Sequence, residues 1–194
     1  MSVMNEPDTN SIDDPIAATK HWLEQAVIGL NLCPFAKAVH LKQQIRWALS
    51  PARDTEALLA DLVRELQILA AADPEQTDTT LLIHPHALTD FLDYNDFLDL
   101  ADAVIEELGL DGVLQVASFH PDYQFEGTEP DDPANLSNRS PYPTLHLLRE
   151  DSIERAVAAF PDAADIYERN IETLQRLGLA GWRALLEGPA VKGD

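Results

Sequence analysis

One cysteine, Cys33, stands in 194 residues, so no intramolecular disulfide can form. A chain without that cross-link suits a reducing compartment. Basic residues are scarce: 13 Lys and Arg face 34 Asp and Glu, for a net charge of −21. Such a surface repels phosphate backbones and acidic lipid, so neither nucleic acid nor a membrane surface is an expected partner. A small anionic ligand would need basic residues placed locally. No apolar run reaches the 18 residues that a membrane-spanning helix requires. The opening stretch MSVMNEPDTNSIDD has no basic start and no apolar run, so no secretory leader is expected and the cytoplasm is the expected compartment. Walker, dinucleotide-binding, CxxC, HExxH and GxSxG patterns are all missing. Their absence argues against P-loop, Rossmann, thioredoxin-like and common serine-hydrolase chemistry.

What is present is the composition of a globular protein, 45% hydrophobic and 24% charged. The length suits a single domain, expected over 13–190 after a loose polar tail at 1–12. Asp14 and Pro15 form a cap and a first-turn proline before Ile16, Leu23, Val27 and Leu30, which recur at helical spacing over 15–30. Pro34 predicts a second helix over 34–43, with Cys33 as its cap. Strand patterns occupy 45–50, 78–85, 112–121 and 144–150, with helices capped by Asp54 and filling 89–108 between them. Three helical stretches, 151–159, 162–177 and 180–187, close the chain. Strands separated by single helices imply parallel neighbours joined by right-handed crossovers. The expected fold is α/β (or α+β): one small sheet of about four mostly parallel strands with helices packed on it. The last strand is reached through a long functional loop and is the one that can run antiparallel.

If the strands ending near 83 and 119 share a direction, His84 and His120 lie at one sheet edge, where open α/β sheets bind ligands. Cys33 at a helix N-terminus would come to the same edge. There the helix dipole and Lys37, one turn on, would favour a thiolate, with a histidine as proton partner. The plainer account makes Cys33 a small apolar residue in a helix corner beside Leu32 and Phe35. His84 and His86 flank Pro85, and with His120 they form an alternative metal-ligand set for a divalent cation. The same His-Pro pairs are explained equally well as strand ends. His21, His40 and His146 read as surface residues and receive no role.

The 26 residues SFHPDYQFEGTEPDDPANLSNRSPYP, 118–143, carry five prolines and no helical or alternating pattern. Loops of that length inside a domain are functional or disordered. Arg139 is the only base there, with Asn135, Asn138 and Ser140 around it, a grouping that suits a carboxylate or phosphate. Arg139 can instead pair with Asp131 or Asp132 and order the loop. Glu126 and Glu129 flank Gly127, and Glu126 joins the candidate substrate-binding set.

At GLNLCPFAK, at FHPDYQFEG and at NLSNRSPYPTLHLLRE the chain resembles a bacterial family catalogued as domain of unknown function 1415. The likeness spans about 20 to 150 and most of the chain. It implies a compact cytoplasmic bacterial domain and carries no reaction, cofactor or catalytic residue. The residues themselves support three expectations. The first is a hydrolase or group transferase of a small molecule, with Cys33 as nucleophile, His120 or His84 as acid/base, and Arg139 with Lys37 as anion clamp. The second is a metal enzyme built on His84, His86 and His120. The third is a non-catalytic binding or regulatory domain.

Overall fold

The computed structural model describes residues 14–160 and 165–187; the expected tail at 1–12, the start of the helix placed at 162–177 and the last residues of the expected domain fall outside them. Helix α1, Pro15–Trp22, opens where Asp14 accepts the Ile16 N–H, and it runs on as a wider π-helical turn over Leu23–Ile28. Helix α2 is short, Ala36–Leu41. Strand β1, Ile45–Leu49, then leads into α3, Thr55–Ala71. Strand β2, Thr79–Ile83, precedes α4, Phe91–Glu107, and β3 spans Leu114–Phe119. A 3-10 helix, Pro133–Asn138, lies within the long connection to β4, Thr144–Arg149. Helix α5, Glu150–Ala159, and α6, Ile166–Glu187, follow. Gly178, at φ +67°, breaks α6 into two segments, a left-handed conformation that favours glycine.

The sheet order is β1-β2-β4-β3, with β1 parallel to β2 and β4 antiparallel to both β2 and β3. Strands β1, β2 and β3 therefore share one direction, and β4 returns between the last two. The expected α/β sheet of four strands is present, but its neighbour pairs are one parallel and two antiparallel rather than mostly parallel. The cause is the long connection: Phe119 pairs with Thr144 at the end where β3 stops, so the returning chain enters the sheet there without a crossover.

Successive strand residues face opposite sides. Ala48, Leu82, Leu114, Leu145 and Leu147 join a core with Leu58, Leu62, Leu66 and Leu69 of α3 and Tyr94, Phe97, Ala101 and Ile105 of α4. The opposite face carries Trp47 and Phe119, packed with Trp22, Val27, Leu32, Leu136, Leu174 and Trp182. Strand β2 is buried at every position, as a strand covered on both faces must be. Arg149, at the end of β4, donates from Nη2 to the carbonyls of Leu69, Ala72 and Thr77 at 2.6, 2.9 and 3.1 Å. It thereby ties the C-terminus of α3, where carbonyls run short of intrahelical partners, and the loop after it to the end of β4.

The region after NLCP differs from expectation. Helix α2 begins at Ala36 with Phe35 at its cap and no side-chain capping bond. Cys33 lies before the cap, in a turn closed by the Ala36 N–H on its own carbonyl at 3.3 Å. Pro34 is thus a turn residue rather than the first residue of the helix, and Cys33 caps nothing.

Candidate functional site

His84 and His120 follow directly on β2 and β3, which run in the same direction, and they meet at one sheet edge on the α3/α4 side. Both are closed to solvent. The His84 ring stacks on Tyr94, with centroids 5.8 Å and planes 17° apart, and the His120 centroid is 5.1 Å from the same ring. Phe91 packs on His120 and on Tyr123, at 5.5 and 5.1 Å, which carries the ring cluster from the sheet into the long connection.

The partners fix the tautomers. His84 Nδ1 lies 2.9 Å from the Ala87 carbonyl, which can only accept, so Nδ1 carries the hydrogen. Its Nε2 is buried without a hydrogen-bond partner among the described residues. His120 Nδ1 accepts the Asp122 N–H at 3.0 Å, and its Nε2 faces the Leu88 carbonyl at 3.1 Å, so the hydrogen is on Nε2. Leu88 holds φ +53°, an uncommon conformation for a branched side chain, and its carbonyl is where His120 grips the turn after β2. Burial pushes the His84 ring down to about 4, partly offset by the Ala87 carbonyl, with His120 nearby adding to the fall. Burial also lowers His120, opposed by the Leu88 carbonyl and by the charges of Asp122 and Asp90.

Residues 120–143 are ordered by their own polar side chains. Asn135 is fully buried: Oδ1 accepts the Phe125 N–H and the Thr128 hydroxyl at 2.9 Å each, and Nδ2 donates to the Glu129 carbonyl at 2.9 Å. Asn138 Nδ2 donates to the Ser118 carbonyl, and the Ser140 hydroxyl to that of Tyr142. Arg139 donates from Nε to the Tyr123 carbonyl at 3.0 Å and from Nη2 to the Pro130 carbonyl at 2.6 Å. Of the two roles expected for Arg139, loop ordering is the one its bonds perform, through carbonyls rather than through Asp131 or Asp132. Glu126 and Lys37 are exposed.

Cys33 is half-buried against the cluster of Val27, Leu32 and Leu136, on the sheet face opposite to His84 and His120. The expected meeting of cysteine and histidine is not formed, because β-strand alternation and the sheet itself separate them. His86 is exposed, and among the described residues no three His, Cys, Asp or Glu side chains come together as a metal set. His146, read as a surface residue, faces inward instead: Thr79 gives its one hydroxyl hydrogen to the Leu147 carbonyl at 2.6 Å, so His146 Nε2–H donates to Thr79 Oγ1 at 2.7 Å. The ring keeps a little accessible surface, yet the crowding around it lowers its pKa to about 4.

A cleft of about 120 Å³ opens between the NLCP corner and the first half of α6. Leu30, Pro34, Phe160 and Ile166 form its apolar wall, and Asn31, Arg169, Asn170 and Thr173 its polar one. Asn31 sits at φ +54°, a conformation asparagine tolerates, and so turns the chain out of the π-helical segment. Asn170 Nδ2 donates to the Leu32 carbonyl at 2.8 Å and ties α6 to that corner. The Arg169 guanidinium lies over Phe160, 5.8 Å from its centroid.

A family described as "Protein of unknown function (DUF1415)" matches residues 14–184. The chain belongs to this family. No curated protein and no solved structure matches it. In this DUF1415 domain the NLCPFA stretch forms the corner beside the cleft, and NRSPYP closes the long connection onto β4. No helix among the described residues is long and apolar enough to cross a membrane.

Sequence reasoning passed over Tyr94, Asn31, Asn170 and Thr173. A signal existed for Tyr94: it falls on the apolar stripe of α4 between Phe91 and Phe97, and a buried tyrosine hydroxyl needs a polar partner. No local signal marks Asn170 and Thr173, which matter only because α6 folds back on a corner 138 residues away from Asn170.

Proposed function

We propose that this DUF1415 domain is a non-catalytic binding module for a small anionic molecule, held in the cleft between the NLCP corner and α6. The observation that carries this reading is the cleft lining: among the described residues it brings an arginine, two asparagines and a threonine together and no carboxylate, in a chain of 34 acidic and 13 basic residues. A guanidinium beside amides and a hydroxyl matches the planar acceptors of a carboxylate or phosphate. The apolar wall suits a short hydrocarbon stem. A volume of about 120 Å³ holds roughly four waters' worth of ligand, a single headgroup with a few carbons. This reading takes Cys33 as a packing residue and His84, His120, Asn135 and Arg139 as organisers of the sheet edge and its connection.

The test is a protein-observed NMR titration with phosphate, acetate and benzoate. Saturable shifts at the amides of Asn31, Asn170 and Thr173 are expected, and Thr173→Trp, which fills the cleft, should abolish them. Shifts located elsewhere, or unchanged in the variant, would sink the proposal.

A further inference from the structure

Both ring nitrogens of His120 bond backbone groups that cannot exchange roles. The Asp122 N–H can only donate and the Leu88 carbonyl can only accept, at 3.0 and 3.1 Å. Only the neutral ring with its hydrogen on Nε2 satisfies both. The Asp122 N–H belongs to the tight turn that opens the long connection, closed also by the Tyr123 N–H on the His120 carbonyl at 3.1 Å. Tyr123 in turn packs on Phe91 and Phe125 and lends its carbonyl to Arg139. The first turn of the connection thus rests on an acceptor that a proton would remove.

We propose that His120 is a proton-operated latch on the 120–143 segment: neutral, it holds the first turn closed, and protonated at Nδ1 it releases it. Protonation sets an imidazolium N–H against the Asp122 N–H, so two donors face each other and one must move. The sheet-side bond, Nε2–H to Leu88, survives, which confines the release to the connection. The groups facing the ring are Asp122 within the segment, Asp90 at the start of α4, His84 at the end of β2, Tyr94 of α4, and Tyr123. Both carboxylates favour the charged ring, while burial and a charged His84 would oppose it. Arg139 stands near Asp122 and moderates its pull. This latch uses none of the cleft residues and stands whether or not the cleft binds an anion.

The experiment compares the wild-type chain with His120→Asn. An asparagine carbonyl oxygen can accept the N–H two residues on, as in an Asx-turn, but does not titrate in this range. Amide exchange protection at Asp122, Tyr123 and Phe125 is followed from pH 7.5 to 5, with β2 amides as the reference for global unfolding. In the wild type the three amides should lose about tenfold in protection per pH unit once below the ring's midpoint, while β2 holds and the variant stays flat. An equal loss in His120→Asn, or a segment that opens only together with β2, would overturn the latch. Long-range nitrogen–proton spectra of the wild-type imidazole give a check independent of the variant's folding. They should place the neutral-pH hydrogen of His120 on Nε2, and a hydrogen on Nδ1 would overturn the proposal outright.

Discussion

The Tyr94 hydroxyl donates to the Thr144 carbonyl at 2.8 Å, which pins α4 to the point where β4 enters the sheet. The same oxygen accepts the Phe119 N–H at 3.0 Å, so one side chain joins the paired ends of β3 and β4. The ring beneath it carries both histidines of the strand edge. The geometry of that edge therefore depends on a residue of the helix face, and the predictions below begin with it.

Tyr94→Phe keeps the ring stack and removes the hydroxyl, which leaves the Phe119 N–H without its buried acceptor. The expected cost is about 1–3 kcal/mol, read as a lower urea midpoint at unchanged slope. Amide exchange at Phe119 should accelerate more than exchange in α3. A variant as stable as the wild type would remove the bridging role assigned to the hydroxyl.

Arg149→Met removes a guanidinium that serves three carbonyls while keeping an aliphatic stem in its place. Leu69, Ala72 and Thr77 then lose a charged donor, at an expected cost of about 2–3 kcal/mol. The α3 C-terminus should fray first, visible as faster exchange of the last amides of that helix. Fraying spread evenly along α3 would contradict the capping account.

Acidification should destabilise the fold before most carboxylates protonate. His84 and His146 lie near 4 in the folded chain against 6.5 in the unfolded one, so they are depressed bases. The unfolded state takes up protons first as pH falls below about 6.5, and stability drops from there down to about 4, where the folded rings protonate too. The His84 contribution is on the order of 3 kcal/mol across that window. Urea unfolding free energies at pH 7.5, 6, 5 and 4 measure this, and a flat profile between 6.5 and 5 would contradict the buried neutral state of these rings.

Cys33→Ala should leave ligand-induced shifts in the cleft intact and cost about 1 kcal/mol of stability, since the thiol packs at a half-buried cluster edge. Loss of binding or of any later-found activity at unchanged stability would restore a chemical role to the thiol.

Much of the fold was legible because it rests on short-range rules. Asp14, Asp54 and Asp90 each accept an N–H two or three residues on; the first two were named as caps from the sequence, and the third caps a helix expected from 89 that begins at Phe91. The apolar stripes of α3 and α4 follow the helical period, and the shared direction of β2 and β3 brings His84 and His120 to one edge as expected. The long connection is held by its own hydrogen bonds and contributes Leu136 to the second core. Its asparagines and arginine were singled out as a ligand-binding group, whereas the bonds they make serve the backbone of the connection and of β3. Sequence cannot tell a side chain that binds a ligand from one that bonds a carbonyl six residues away, because both uses need the same donors.

The sequence by itself determined where the aspartate-capped helices begin, which faces are apolar, the acidic charge, and the single cysteine, because these follow from composition or from neighbours within a turn or a strand repeat. Tertiary structure alone decided that β4 inserts between β2 and β3, that Cys33 and the histidines stand on opposite faces of the sheet, and that Asn31 meets Arg169, Asn170 and Thr173 across a cleft. Those outcomes depend on contacts between residues far apart in the chain. Which face a residue takes changes with every single step along a strand, and only the assembled sheet fixes that choice.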